Sequence, residues 1–439
     1  MRILSTLLYE WKHFVRSPFK VIALLLLVLA AVYGLHNGAS LYHEQLSEID
    51  SIKQTIEENR AEYLAYYDEG QVGPEDAPWI NMTEPFWAVW FNYIYHFKTP
   101  SPALVYSMGQ AEQYGYYKRV TFWASPYDAD MTQEIANPER LQIGTLDFAF
   151  TLLYLLPLLL LILLYNLKSM EAELGFLPLV EVQTASSGTW LLSRVAFYVG
   201  LLFVVVIGLL AYGALLTDLF TITGAAFGQM LLFSLLYLLF WSVLYYLILR
   251  TGASIMGNTL KMVGIWLLFA FIIPAVVHQW ISIEKPANLM MDLIDGKREK
   301  REELYDLPES VLRAQLYELF PEIPRSPVAQ DSTRIDGAFS DSYSALVNEL
   351  MKSSIAPIEA DNESKNELVR GSYWLSPITY FQNRFNAIAQ THYDDYQNYR
   401  EEIQGLIDKQ IRTMVLDTWN DKTVDKDAYL DYHTLLKEN

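Results

Sequence analysis

The stretch "NLKSMEAELGFLPLVEVQTASSGTWLLSR" (166–194) decides how this chain folds. It lies between two apolar runs, "TLLYLLPLLLLILLY" (151–165) and "VAFYVGLLFVVVIGLLAYGALL" (195–216), neither of which holds a charge. About 20 apolar residues cross a bilayer as a helix, so the polar stretch between the runs is a loop on one face of a membrane. Packed helices need only about 2–8 residues to connect. This loop spends far more, on Glu171, Glu173, Gly175, an apolar patch "FLPLVEV" and a tail of small polar residues. A segment of that make-up is expected to be gripped by something on its side of the membrane.

The rest of the 439-residue chain agrees with that start. It is 52% hydrophobic yet carries a formal charge of −19, which implies long apolar blocks beside strongly polar ones. Five windows read as spans: 19–36, 147–166, 191–217, 229–249 and 262–282. The expected fold class is therefore mainly α, a polytopic helical membrane protein. Between the spans lie an N-terminal interfacial helix (1–18), a first outer domain with a helical stalk (37–146), the loop 167–190, a short external loop (218–228), a second inner loop (250–261) and a second outer domain (283–439). The outer domains are expected to be mixed α/β or mainly α.

Basic residues set the orientation. Arg2, Lys12, Arg16 and Lys20 precede the first span, Lys168 and Arg194 bracket loop 167–190, and Arg250 and Lys261 bracket loop 250–261, whereas 218–228 has no Lys or Arg. A cytoplasmic N-terminus fits all of these, and it puts 37–146 and 283–439 outside. Those two segments carry about −10 and about −11, so the acidity of the chain belongs to them. Acidic surfaces repel nucleic acid, and net acidity also keeps a domain soluble. There is no Cys, so each outer domain is expected to rest on its own apolar core rather than on disulfides.

Periodicity fills in the segments. Leu4, Leu7, Leu8, Trp11 and Val15 recur at helical spacing, with Glu10, Lys12, His13 and Arg16 on the other side and Pro18 as a break. This predicts a helix lying in the lipid interface, with Leu4, Leu8, Trp11 and Val15 in lipid. Leu46, Ile49, Ile52, Ile56 and Tyr63 continue the spacing beyond the first span and predict a stalk of about 30 residues. "EPFWAVWFNYIYHF" is too short to span and reads as core of the first outer domain, or as a surface resting on the membrane. In the second, "DGKREKREELYD" predicts a solvated helix and "YDDYQNYREEIQGLIDKQIRTMVLDTW" another.

Catalytic signatures are missing from the sequence. It contains no G-x-x-x-x-G-K-[ST], H-E-x-x-H or G-x-S-x-G, so no ATP-binding loop, zinc-protease helix or nucleophile elbow is written in it. His36, His43, and His392 beside Asp394 and Asp395 lack the spacing of a closed metal site, and Met290-Met291 reads as packing. No metal or other cofactor is expected on this chain. Spans two to five hold no Lys, Arg, Asp or Glu in their middles, and ion-driven transport needs such groups at depth. Any work done is expected to draw on a partner's energy.

The E-x-E-x-G-x-L-x-L pattern of 171–179, between two spans, resembles the cytoplasmic loop of ABC-type-2 permeases, the membrane subunits of ABC transporters. "NPERLQIGTLDFAFTLLYLLPLLLLILLYN" (137–166), "SPALVYSMGQAEQYGYYKRVTF" (101–122), "YWLSPITYFQNRFNAIAQTHYDDYQNY" (373–399) and "GIWLLFAFIIPAVV" (264–277) resemble segments of a bacterial branch with two large extracytoplasmic insertions and often paired permease genes. The resemblance implies a non-catalytic permease in a bacterial inner membrane. It also implies a cytoplasmic ABC ATPase dimer that holds ATP and Mg, a second permease (a copy or a paralogue), lipid, and an envelope partner for the outer domains. Its contact with the ATPase would be Glu171, Glu173, Gly175, Phe176, Leu177, Leu179, Val180 and Glu181, with Glu171 or Glu173 meeting a basic groove rim. The family's pattern also implies a sixth span after residue 439. The rival expectation is a membrane-anchored scaffold that works without an ATPase.

Overall fold

The computed structural model describes residues 3–92, 94–128, 146–183, 186–252, 254–285, 302 and 304–437, with side chains at all of these except 3–5, 181, 183 and 435–437. In chain order the main elements are α1 (Ile3–Val15), α2 (Pro18–Asp68), α3 (Pro85–Trp90), β1 (Ile94–Phe97), β2 (Tyr117–Val120), α4 (Phe148–Glu173), α5 (Leu177–Gln183), α6 (Ser187–Leu216) and α7 (Leu219–Ile222). They continue with α8 (Gly224–Thr251), α9 (Ile255–Glu284), α10 (Glu309–Leu319), α11 (Ile335–Gly371), α12 (Pro377–Ala389), α13 (Tyr393–Trp419) and α14 (Lys426–Lys437). Five of them, α2, α4, α6, α8 and α9, are long and apolar enough to cross a membrane. The end of this bundle that carries α1 and residues 166–194 is its proximal end, and the end that carries the two insertions is distal.

Helix α2 is a single rod of 51 residues, about 75 Å at 1.5 Å per residue. Pro18 starts it, where a missing N–H costs nothing. Its first half crosses the bundle and its second half is the stalk. Two glycines let neighbours reach its backbone. A Cβ at Gly34 would lie 2.6 Å from the carbonyl carbon of Asp147, and one at Gly38 would lie 2.7 Å from the carbonyl oxygen of Val105. Small residues admit such close approach where helices pack in lipid.

Spans α4 and α9 share an irregularity. Each holds a π-helical turn, Thr151–Leu155 in one and Leu268–Ile272 in the other, with a proline two residues further on, Pro157 and Pro274. A proline offers no N–H to the carbonyl four residues back, and in lipid no water replaces it. In α4 the neighbours supply the donors. Tyr237 of α8 donates to the Leu153 carbonyl, four before Pro157. Trp266 Nε1 donates to Tyr154 O at 3.2 Å and Tyr245 donates to Pro157 O at 3.3 Å.

Two expected loops are shorter than the sequence suggests. Helix α8 runs to Thr251 and α9 starts at Ile255, so the inner loop 250–261 shrinks to residues 252–254. Ser254 caps α9 by accepting from Gly257 N at 3.2 Å, and the buried Asn258 is a polar side chain inside the helix rather than part of a loop. The external loop 218–228 contains α7 and the first turns of α8.

The largest correction concerns the outer domains. Residues 37–146 and 283–439 were expected to hold separate cores, but the described residues of both build one. Met82, Val89, Ile94, Val120 and Phe122 of the first insertion pack with Leu316, Ile403, Met414 and Trp419 of the second. The unit is mainly helical, with a single two-stranded antiparallel sheet among the described residues that pairs Ile94 with Val120. Helix α3, from the aromatic stretch, is buried in this core, with Phe86 and Trp90 both edge-on to Phe122 at 5.4 Å. Long helices α11 and α13 lie against each other and Trp419 Nε1 donates to Ser342 Oγ at 2.8 Å. The mixed-charge stretch 295–306 falls largely outside the described residues, as does the Met290-Met291 pair.

A neck joins this unit to the bundle. Ala103, Leu104, Val105 and Tyr106 are each at most 2% exposed, and Tyr106 donates to Leu210 O of α6 at 2.6 Å. Amphipathic α12 returns from the second insertion to the bundle, placing Phe381 edge-on to Tyr237 at 4.9 Å. The two returns also bind each other. Ser107 donates to Asn386 at 2.5 Å, and Gln110 N donates to Thr391 O at 3.0 Å. His392 is part of this framework, as the cap of α13: it accepts from Asp394 N, while Asp395 accepts from His392 N.

Candidate functional site

Helix ends leave their last carbonyls and first amides without partners. At the proximal end of the bundle, side chains from other elements meet these groups, and most of the bonds converge on residues 163–173. Lys20, at the start of α2 and 2% exposed, donates to Leu163 O at 2.8 Å and to Asn166 Oδ1 at 3.3 Å, with its ammonium 4.9 Å from the Tyr198 ring centre. Arg194, in the second turn of α6 and also 2% exposed, donates to Leu167 O at 2.6 Å. Lys168 donates to Arg250 O near the end of α8 at 2.8 Å. These are cations on carbonyl ends, the sign a helix dipole favours. The converse contact is present too, since Glu173 accepts from Ile255 N, the first amide of α9, at 2.7 Å.

Arg194 is the centre of the cluster. Its guanidinium bonds Glu10 of α1 through Nε and Glu171 through one terminal nitrogen, and it lies 4.8 Å from the Trp190 ring centre. Glu10 is fully buried and Glu171 is partly buried, so three charges are held where isolated ions are costly. Asn258 of α9 adds a neutral bond to Ser169 at 2.6 Å. Residues 163–173 therefore bond side chains or backbone of all four other spans and, through Arg194, of α1.

Past Glu173 the surface changes character. Gly175 has φ +77° and closes α4 with a paired C-terminal cap: Phe176 N reaches Glu171 O at 2.8 Å and Gly175 N reaches Ala172 O at 3.2 Å. Beyond it the chain turns outward. Leu174, Phe176, Leu179 and Val182 are 56–86% exposed around the short α5. Leu177 and Val180 are half-buried, and the side chain of Glu181 lies outside the described ones.

The site expected from sequence is thus divided in two. Glu171 and Glu173, expected to meet a partner's basic rim, bond the chain's own Arg194 and Ile255, while the apolar residues remain exposed. Leu174 belongs with the exposed set and was not singled out by sequence. In α1, Leu8, Trp11 and Val15 are exposed, and Leu4 lies outside the described side chains. Glu10, however, lies on the buried row with Thr6 and Phe14 instead of on the solvent side, because Arg194 sits beneath it.

Among the described residues no group of three or more His, Asp or Glu could hold a metal ion. His36 pairs with the Tyr212 hydroxyl at 2.8 Å and His43 with Leu216 O at 2.9 Å, so both histidines tie the stalk to α6.

Comparison with known proteins adds one finding. A family model described as a domain of unknown function, DUF3526, matches residues 292–434, about a third of the chain and most of the second insertion. No curated protein matches the chain, and no solved structure does.

Proposed function

We propose that this chain is the membrane subunit of a bacterial ABC transporter, in the inner membrane with its proximal end in the cytoplasm, driven by a separate ATPase dimer that carries ATP and Mg. One observation supports this reading above the others: residues 163–173 are bonded to every other span and, through Arg194, to α1, and the next residues put an exposed apolar face beyond the bundle. Displacing Leu174–Val182 would move the ends of α2, α4, α6, α8 and α9 together, which is what a coupling segment must do. The partner's groove is then apolar, receiving Phe176, Leu179 and Val182, and is not a basic rim for Glu171 and Glu173. On the other side, α2 continues as the stalk into the shared outer core, so motion at its base reaches the outer unit. This favours mechanical work on an envelope partner over a simple pore.

The test is purification of the tagged chain from its native membranes in mild detergent, followed by labelling with a photoreactive ATP analogue. A labelled chain should accompany the wild type and be lost from Leu179→Asp/Val182→Asp, whose thermal midpoint should equal that of the wild type. Exposed positions tolerate such changes because no packing is removed. A wild-type preparation without any nucleotide-binding chain would leave the scaffold reading in its place.

A further inference from the structure

A cavity of about 560 Å³ opens at the distal end of α9, between that span and helices α11 and α12 of the outer unit. One wall is apolar, formed by Val277 and Ile281. The other carries Lys285 at the end of α9, Lys365 of α11 and Thr379 of α12, with His278 nearby. Asp361 lies between the two ammonium groups, 3.1 Å from Lys285 and 3.3 Å from Lys365. Two cations around one carboxylate leave a local positive charge, inside an insertion whose overall charge is about −11. An ammonium has three donors, and Asp361 takes one from each lysine.

The level of the cavity is marked independently. Helix α9 is 30 residues long, about 45 Å, and a hydrocarbon core takes about 30 Å of it, so its last turns stand at the headgroups. Trp280, one turn past Val277 and next to Ile281 in the chain, is 47% exposed, and Trp374, just before α12, is 79% exposed. Tryptophans gather at the membrane interface because the ring is apolar and its N–H is polar. Val276 and Ile283, 62% and 67% exposed, add apolar surface along the same turns of α9.

The geometry points to a binding site for an acidic phospholipid of the distal leaflet, its phosphate on the cavity side of Lys285 and Lys365, against the donors that Asp361 leaves free, and an acyl chain along Val277 and Ile281. The shape demands both halves of the ligand. A free phosphate would satisfy the lysines and leave the apolar wall bare, while a neutral lipid would fill the wall and leave the positive charge unmatched. Because the walls come from α9 on one side and α11 and α12 on the other, a bound lipid braces the outer unit against the bundle. This site does not depend on the ATPase reading.

Native mass spectrometry of the full chain, extracted in mild detergent and reconstituted with a 1:1 mixture of phosphatidylglycerol and phosphatidylethanolamine, tests the proposal. The wild type should retain one phosphatidylglycerol in at least about fivefold preference, because only that lipid of the two carries a net negative charge to match the lysines. Lys285→Gln/Lys365→Gln should lose the preference. Because that variant strands Asp361, Lys285→Gln/Lys365→Gln/Asp361→Asn is measured beside it, and Ile281→Trp fills the apolar half with the charges intact. Both should reduce retention at least about fivefold. Inorganic phosphate alone should not raise the thermal midpoint as phosphatidylglycerol does. Equal retention of the two lipids, retention unchanged in the triple variant and in Ile281→Trp, or a full midpoint rise with inorganic phosphate would each overturn the proposal.

Discussion

Replacing Arg194 with methionine tests the logic of the proximal cluster most directly. Methionine fills much of the same volume but carries no charge, so Glu10 and Glu171 lose their common partner while staying buried. Breaking a buried ion pair from one side costs about 3–5 kcal/mol, because the remaining charge is uncompensated. Two carboxylates are stranded here, although Glu171 is partly exposed and Lys20 lies nearby, so about 3 kcal/mol is the reasonable figure. Glu10→Gln alone should cost about 1 kcal/mol or less, since the amide still accepts from Arg194 and Glu171 still balances it. The double variant Glu10→Gln/Arg194→Met should then recover about 1–2 kcal/mol relative to the sum of the single costs, because one stranded charge has gone. Thermal unfolding of the detergent-solubilised chain, read by far-ultraviolet circular dichroism, measures all three. Costs that add to within about 0.5 kcal/mol would mean the side chains do not interact, and the cluster would then not bind α1 to the bundle.

Three further outcomes are expected. Tyr237→Phe should destabilise by about 1–3 kcal/mol by leaving Leu153 O without a donor in the bundle core, and the loss should shrink in a Pro157→Leu background, where a backbone N–H is restored; equal losses in the two backgrounds would refute the account of the π-turn. Burial, with Glu84 as a lesser cause, holds the Asp341 carboxyl up at about 6. Ionising it in the fold therefore costs nothing below pH 4, costs more as pH rises through 6 and is fully unfavourable above, so Asp341→Asn should raise the melting temperature at pH 8 by an amount equivalent to about 1–2 kcal/mol and give no gain at pH 4. Gly175→Ala should lower stability by about 1 kcal/mol through its positive φ alone, since a Cβ there meets nothing within 4 Å; a neutral result would mean the cap has another conformation in solution.

Much of the membrane half was legible in sequence because a bilayer imposes a one-dimensional rule: length and apolarity of a run decide whether it spans. The five spans, the uninterrupted passage of α2 into the stalk and the exposed Leu8, Trp11 and Val15 of α1 all follow from spacing along a single helix. Helix starts and ends were less accurate, as at α9, where Asn258 and Lys261 resemble loop residues but Asn258 is buried against Ser169.

What tertiary structure alone decided is which distant groups share a site. Arg194 and Lys20 look like ordinary basic flanks of spans, and nothing local says that one meets Glu10, 184 residues earlier, or that the other meets Leu163. The merging of two insertions into one core has the same origin. A hydrophobic face written in sequence states that it must be covered and is silent on what covers it, because burial is non-directional and its partner is chosen by packing of the whole chain. The sequence thus determined that residues 166–194 lie at the end of the bundle, and the fold decided that Glu171 turns inward to Arg194 while Phe176, Leu179 and Val182 face out.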